Sequence, residues 1–96
     1  MGGRTGANMM LEKDPEDTLD YTIDWALWLQ PGEIIMAAEV AGKNSLVATN
    51  TTHTDTEVTC WLSGGAGGIM YYPQCTIETS QGRTVQRSFP LWVRNK

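Results

Sequence analysis

The sequence predicts an all-β fold, and three observations support that prediction. Between Leu19 and Trp25, apolar residues alternate with Asp or Thr, which is the period of two expected of a half-buried strand. Turn-forming residues, mainly Gly and Pro, recur at short intervals along the rest of the chain. No helical period extends beyond residues 24–29. These features are typical of a small immunoglobulin-like antiparallel β-sandwich of about seven strands.

The first predicted strand lies within residues 14–29, and it carries some of the largest apolar side chains. Its apolar face consists of alternate residues: Leu19, Tyr21, Ile23 and Trp25. Asp14-Pro15 precedes it as a turn, because proline fixes its own φ and biases the preceding residue towards extended backbone. Trp28 adds a further large side chain at the far end. We expect the rest of the domain to cover the apolar face of this strand.

The later strands follow from similar patterns. The predicted segments are 34–40, 46–48, 57–63, 69–79 and 83–94. Between the first two strands, Pro31-Gly32 predicts a tight turn in which the glycine adopts positive φ. Pro73 interrupts its segment, and proline within sheets is confined to edges or bulges. The polar, Thr-rich stretch 49–56 is either a loop or an edge strand.

Residues 1–13 are predicted to form a flexible N-terminal arm ahead of a single domain at 14–96. The arm is Gly-rich at first and has no hydrophobic periodicity. It is either a frayed tail or a segment that orders across a neighbouring molecule. In the second case Met9, Met10 and Leu11 would supply its apolar contacts.

Charge is distributed unevenly along the chain. The net charge of −4 argues against a nucleic-acid partner, which requires clustered Lys and Arg. Acids dominate residues 12–24, whereas residues 83–96 carry four cations and no acid. Two interpretations remain open. The first and last strands lie close together or are simply solvated, or the acidic end of one copy contacts the basic end of the next.

The chain contains two cysteines, Cys60 and Cys75, which are too few for a disulfide framework. We interpret them as reduced core thiols, although they could pair if their strands are adjacent. The N-terminus has no apolar run typical of a signal peptide. No apolar stretch approaches the ~20 residues of a membrane span. We therefore expect synthesis in a cytoplasm and no membrane partner.

The sequence offers no pattern of catalytic or metal-binding residues. His53 is the single histidine, and the cysteines have no metal-ligand spacing. Ser63 does not lie in a GxSxG motif, and the Gly-rich residues 64–68 do not form a phosphate-binding loop. The acids of residues 12–24 are better explained as a solvated strand face than as a calcium site. We predict no catalytic residue, no metal and no cofactor.

Two tryptophans lie on the strand face opposite to the predicted core, namely Trp61 and Trp92. An exposed aromatic side chain can anchor a protein interface or stack against a sugar ring. A carbohydrate-binding module that uses Trp61, Tyr72 or Trp92 is therefore the alternative hypothesis. A third interpretation places both tryptophans in the core through a bulge.

The chain resembles a family of tailed-bacteriophage fibre–tail adaptor proteins. The resemblance lies in KDPEDTLDYTIDW (residues 13–25), the following WL with PGE, WLSGG (61–65) and TSQGRTVQRSFPLWVR (79–94). It covers residues 13–96, although residues 37–56 match poorly.

This resemblance implies a non-enzymatic β-sandwich that is a structural protein of the virion tail or neck. The implied partners are other tail, neck and fibre proteins of the phage, together with further copies of the chain in a ring. The implied location is the virion, after synthesis in the cytoplasm of a host bacterium. We place the interface residues near two surfaces and on the arm. These are Asp20, Asp24 and Trp25 on one surface, Arg83, Arg87 and Trp92 on the other, and Met9 and Met10 on the arm.

Overall fold

A computed structural model describes residues 3–5 and 11–94 of the chain. The described residues form ten β-strands. In chain order these are β1 (Gly3–Thr5), β2 (Leu11–Lys13), β3 (Leu19–Asp24), β4 (Ile35–Ala41), β5 (Leu46–His53), β6 (Glu57–Gly64), β7 (Ile69–Tyr71), β8 (Gln74–Thr79), β9 (Thr84–Ser88) and β10 (Leu91–Val93). No helix among these residues is long and apolar enough to cross a membrane.

The strands form three small sheets. Sheet 1 has the order β1-β3-β6-β5, sheet 2 has β2-β10-β7, and sheet 3 has β4-β8-β9. Most neighbours are antiparallel, but β1 pairs with β3, and β2 with β10, in parallel. The all-β prediction is confirmed, whereas a purely antiparallel arrangement is wrong. Both parallel pairs join an N-terminal strand to a partner that a short hairpin could not reach.

Sheets 2 and 3 are two halves of one layer that prolines interrupt. The register of β7 with β10 continues without a shift into that of β8 with β9. Across the gap, Phe89 N donates to Pro73 O at 3.0 Å. Pro73 and Pro90 cannot donate a backbone hydrogen bond, so each breaks the regular ladder. For this reason the two C-terminal segments predicted as single strands each consist of two.

The hydrophobic core lies between sheet 1 and this second layer. One cluster joins sheets 1 and 2: Leu11, Tyr21, Leu46, Cys60, Leu62, Tyr71, Leu91 and Val93. The other joins sheets 1 and 3: Ile23, Trp25, Ile35, Val58, Cys75, Ile77 and Phe89. The alternate apolar residues of β3 and β6 contribute to both clusters, which confirms the period of two predicted for these strands.

The N-terminal region differs from the predicted flexible arm. β1 and β2 are paired strands, and Leu11 is buried in the first cluster. Lys13 is fully buried, and its Nζ donates to the carbonyl oxygens of Asp14 at 2.7 Å and Asp17 at 2.8 Å. This burial lowers the pKa of Lys13. Residues 3–5 and 11–13 of the predicted arm therefore belong to paired strands, which the sequence did not indicate because three-residue strands are too short to show a hydrophobic period.

Ten strands are present in the described residues where about seven were predicted. The two proline interruptions and the two N-terminal strands add four strands to the six segments delimited in the sequence. β5 extends to His53, so most of the Thr-rich stretch is an edge strand rather than a loop. Asn50 adopts a φ of 51° where the pairing of β5 with β6 shifts register. Gly32 has a φ of 78°, which confirms the predicted turn.

Candidate interaction surfaces

The outer face of sheet 1 is polar, with one aromatic side chain at its centre. Asp20 lies opposite Trp61 on β6, and Trp61 is 38% exposed. In the next row, the hydroxyl oxygens of Thr22 and Thr59 are hydrogen-bonded at 3.0 Å. We call this surface, formed by the outward residues of β3, β6 and β5, the Trp61 face. It contains the predicted interface residue Asp20 and a partly exposed aromatic ring suited to protein contact.

Asp24 lies at the end of the same face, where β3 enters a turn. Its Oδ1 accepts a hydrogen bond from Ala26 N at 2.9 Å. An aspartate at this position stabilises the turn by binding its own backbone two residues later. Asp24 is half-buried, so it combines this local role with partial access to solvent.

Trp25 is a core residue and not an interface residue. Its side chain is 1% exposed and packs in the cluster between sheets 1 and 3. Because Trp25 continues the alternation of Tyr21 and Ile23, it faces inward with them. The prediction that Trp25 lies near a surface is therefore wrong.

Trp28 covers the outside of this core with help from Arg87. The indole rings of Trp25 and Trp28 meet edge to face, with centroids 6.3 Å apart. The guanidinium carbon of Arg87 lies 4.5 Å from the Trp28 ring centroid, in cation–π geometry. Arg87 Nη1 also donates to the carbonyl oxygen of Gln86 at 2.8 Å. Arg87 is exposed, as expected for an interface residue, but within the chain its guanidinium covers the Trp28 ring.

Arg83 binds a buried carboxylate within the chain. Its Nε donates to Glu33 Oε2 and its Nη2 to Glu33 Oε1, both at 2.8 Å. Glu33 also accepts hydrogen bonds from Gln30 N at 2.8 Å and from the Thr79 hydroxyl. These contacts, led by the Arg83 hydrogen bonds, lower the pKa of Glu33 to about 2. Arg83 therefore joins the β3–β4 connection to the β8–β9 hairpin.

Trp92 lies on the outer face of sheet 2. In the ladder it stands between Glu12 on β2 and Met70 on β7, and it is half-buried. Arg94 Nη1 lies 3.8 Å from Glu12 Oε1 on the same side of the sheet. We call this surface, formed by the outward residues of sheet 2, the Trp92 face. It lies on the layer opposite to the Trp61 face.

The predicted interface residues are thus not brought together in one acidic and one basic surface. Arg83 binds Glu33, Arg94 lies beside Glu12, and Arg87 covers an indole ring. β2, which carries Glu12, pairs with β10, so the first and last parts of the domain are neighbours. This geometry favours charge pairing within one chain over contact between acidic and basic ends of successive copies. Met9 and Met10 lie outside the described residues.

No group of three or more His, Cys, Asp or Glu side chains among residues 3–5 and 11–94 is placed to hold a metal ion. Cys60 and Cys75 are both free and buried. Burial raises the pKa of Cys60 to about 11 and that of Cys75 to about 12. Both thiols therefore stay protonated and act as small core residues, as the sequence predicted.

Sequence reasoning missed the roles of Glu33, Lys13 and Trp28. Glu33 precedes its partner Arg83 by 50 residues, and no local pattern links the two. Lys13 is the last residue of a strand that is too short to recognise from the sequence. Leu27-Trp28 does carry a signal, since two large apolar residues directly after a strand must either extend the core or form an exposed patch.

The comparisons with known proteins bear on these surfaces. A search of curated proteins finds no significant match. A family profile described as "Podophage GP4 fiber-tail adaptor protein gp77" matches residues 13–92, which include β3 to β9 in full. This match agrees with the resemblance noted in the sequence. Because the profile covers most of the chain, the protein belongs to the podophage GP4 fiber-tail adaptor family, gp77.

Proposed function

We propose that this protein is a non-enzymatic structural component of a podophage virion that joins the fibre to the tail. The single observation that carries the proposal is the family match over residues 13–92. A fibre–tail adaptor works by holding neighbouring proteins in place, so its functional residues are surface residues on a rigid scaffold. The other tail, neck and fibre proteins of the virion are its partners.

The two outer faces of the domain support this role. An adaptor must contact at least two neighbours, and independent surfaces allow both contacts at once. The Trp61 face and the Trp92 face lie on opposite layers, and each carries a partly exposed tryptophan. Partly exposed tryptophans with polar surroundings are typical anchors of protein interfaces.

We further infer that the scaffold is an immunoglobulin-type sandwich. When each proline-interrupted pair is counted as one strand, sheet 1 has the order A-B-E-D and the second layer has C-F-G. In this assignment β1 takes the position of A, although it pairs with β3 in parallel, B to E are β3, β4, β5 and β6, F is β7 with β8, and G is β9 with β10. This is the strand order of a constant-type immunoglobulin domain. β2 adds a parallel strand beside G.

We also propose that several copies act together as a ring in the virion. Head-to-tail contacts between unlike surfaces produce closed rings when the rotation between copies closes. The domain presents unlike surfaces on its two layers, as such contacts require. We place synthesis in the host bacterial cytoplasm, followed by incorporation into the particle.

A phage from which the gene is deleted tests the adaptor role. We expect its particles to keep head and tail proteins but to lose the fibre protein in a mass-spectrometric inventory. Complementation with Trp61→Ala or Trp92→Ala should restore less fibre than the wild type, while Met36→Ala, an exposed apolar change on β4, should restore it fully. Particles that retain normal fibre content without the gene would overturn the proposal.

The carbohydrate-binding alternative predicts a different result. Trp61 and Trp92 lie on separate layers, because Trp61 belongs to sheet 1 whereas Trp92 belongs to sheet 2. These two tryptophans therefore cannot form one stacking platform. Glycan-array binding by the full chain that disappears in Trp61→Ala or Tyr72→Ala would favour this alternative.

A further inference from the structure

One edge of the second layer is only half covered. β2 runs parallel to β10, with Leu11 N donating to Pro90 O at 3.0 Å and Arg94 N donating to Lys13 O at 2.9 Å. The same edge continues along β9, the end strand of sheet 3. Among the described residues, no strand pairs with the outer side of β9. The covering strand among the described residues is β2, which lies beside β10 and not beside Thr84–Ser88.

The hydrogen-bond alternation of the hairpin identifies the backbone groups at the outer edge of β9. Phe89 N donates to Pro73 O, and Thr79 N donates to Arg83 O at 2.9 Å. In an antiparallel pair, every second residue directs both its N–H and its C=O towards the partner strand. Residues on the parity of Arg83 and Phe89 therefore bind β8. Those of the other parity, Thr84, Gln86 and Ser88, direct their backbone groups to the open edge.

Arg87 closes this edge in the isolated chain. Its guanidinium folds over the edge to bind Gln86 O at 2.8 Å while it stacks on Trp28. No carboxylate pairs with Arg87 among residues 3–5 and 11–94. A charged side chain that covers an open strand edge is a common protection against unwanted pairing. Within the described part of the chain, Arg87 thus has no counter-ion at the site where another strand could add.

Apolar surface lies beside the same edge. Trp28, which lies beneath the Arg87 guanidinium, is 39% exposed. Recognition by strand addition combines backbone hydrogen bonds, which supply affinity, with side-chain contacts that supply specificity. The edge of β9 offers both kinds of contact.

We propose that the outer edge of β9 accepts an extended, carboxylate-bearing segment of another virion protein by strand addition. A carboxylate of that segment binds Arg87, which releases Gln86 O, and the backbone groups of Thr84, Gln86 and Ser88 then pair with the added strand. The segment continues the line of β2 along the same edge. This inference rests on the proposed function, and it states that the adaptor makes one of its contacts by strand addition.

A second copy of this chain fits the site less well. The other free edge of sheet 3 is β4, which carries Glu39. Glu39 lies on the outward parity of its strand, whereas Arg87 shares the inward parity of Cys75, its ladder partner. Strands joined edge to edge align side chains of the same face. Glu39 of a second copy would therefore not meet Arg87.

An array of short overlapping peptides tests the proposal. The peptides cover the structural proteins encoded in the same phage genome, including this chain, and the probe is the full-length protein. We expect binding to peptides with an Asp or Glu in an apolar, extended context. Arg87→Glu should weaken binding by at least about tenfold, because it replaces attraction by repulsion. Binding that peaks on peptides of this chain would overturn the inference in favour of a second copy.

Two variants of Gln86 distinguish the contribution of its backbone N–H to peptide binding from that of its side chain. Gln86→Pro removes an N–H that points to the open edge and is not used by β8, whereas Gln86→Ala keeps it. We expect Gln86→Pro to lose binding and Gln86→Ala to retain it. Slowed hydrogen exchange at Thr84, Gln86 and Ser88 in the wild-type chain with the best peptide gives a readout that needs no variant.

The outcomes also separate this inference from the proposed function. If a peptide binds without slowing exchange at these amides, strand addition at β9 is wrong. If no peptide binds but deletion phage lose their fibres, this inference fails while the adaptor role stands. If deletion phage keep their fibres, the adaptor role fails whatever the array shows.

Discussion

Glu33 is the residue whose ionisation most directly links pH to the stability of this domain. Its pKa is about 2 in the folded protein, against an ordinary value of 4.5. Because the folded-state pKa is the lower one, the stabilisation is fully present above pH 4.5 and is lost as pH falls towards 2. Urea unfolding measured across this range should show a falling midpoint.

Glu33→Gln provides the test of that assignment. The amide should lower the unfolding midpoint at neutral pH, since it removes the charge that binds Arg83, and the difference from wild type should shrink as pH falls. Glu39→Gln, a charge change on an exposed residue of β4, is the matched control and should follow the wild-type pH curve. Equal pH dependence in wild type and Glu33→Gln would contradict the assignment.

Trp25 and Trp61 show how residues of the same type take opposite roles on neighbouring strands. Trp25 is buried in the core, whereas Trp61 stands on the outer face of sheet 1. Trp25→Ala should therefore cost about 3–5 kcal/mol of unfolding free energy, because it leaves a large cavity. Trp61→Ala should change the unfolding free energy by about 0.5 kcal/mol or less. Chemical denaturation of both variants measures the contrast, and similar losses in the two would contradict it.

At the scale of single elements, β2 matters more than its length suggests. It covers the edge of β10, places Leu11 against the first core cluster, and buries Lys13 beneath the turn that follows. Lys13→Met should cost about 1–3 kcal/mol, since it leaves partly buried carbonyl oxygens without their donor. Urea unfolding measures that loss.

Deletion of residues 1–13 extends the same test to the whole strand. It should lower the thermal midpoint strongly and promote self-association, because a bare edge strand invites pairing. Circular dichroism and sedimentation detect both effects. Deletion of residues 1–2 is the control and should behave as wild type. An unchanged midpoint after deletion of 1–13 would restore the interpretation of this region as a dispensable arm.

The elements that could be predicted from sequence are those with a local signature. β3 and β6 are recognisable by their alternation of apolar and polar residues, and the Gly32 turn is recognisable by its Pro-Gly pair. The break near Pro73 is predictable because proline has no backbone N–H. β1 and β2 lack such a signature, because three residues cannot establish a period and their parallel partners lie far along the chain. The Glu33–Arg83 pair has the same difficulty.

For the molecule as a whole, the central question is whether the two core clusters form one cooperative unit. The prolines divide the second layer into sheets 2 and 3, and each sheet packs on its own cluster. Yet β3 and β6 run through both clusters, and Val40 packs against both. The contacts proposed for the two outer faces require this continuity, since a layer that opened separately would release one partner.

We therefore predict a single unfolding transition for the whole domain. Leu91→Ala in the first cluster and Ile77→Ala in the second are each expected to cost about 2–5 kcal/mol. Each substitution should shift the unfolding midpoint by the same amount whichever spectroscopic probe reports it, as two-state behaviour requires. Tryptophan fluorescence of variants that retain either Trp25 or Trp92, with the other tryptophans replaced by Phe, reports the two halves separately. If Leu91→Ala lowers the unfolding midpoint reported by Trp92 but not the one reported by Trp25, the two halves unfold independently. Sheets 2 and 3 are then separate units that share only sheet 1.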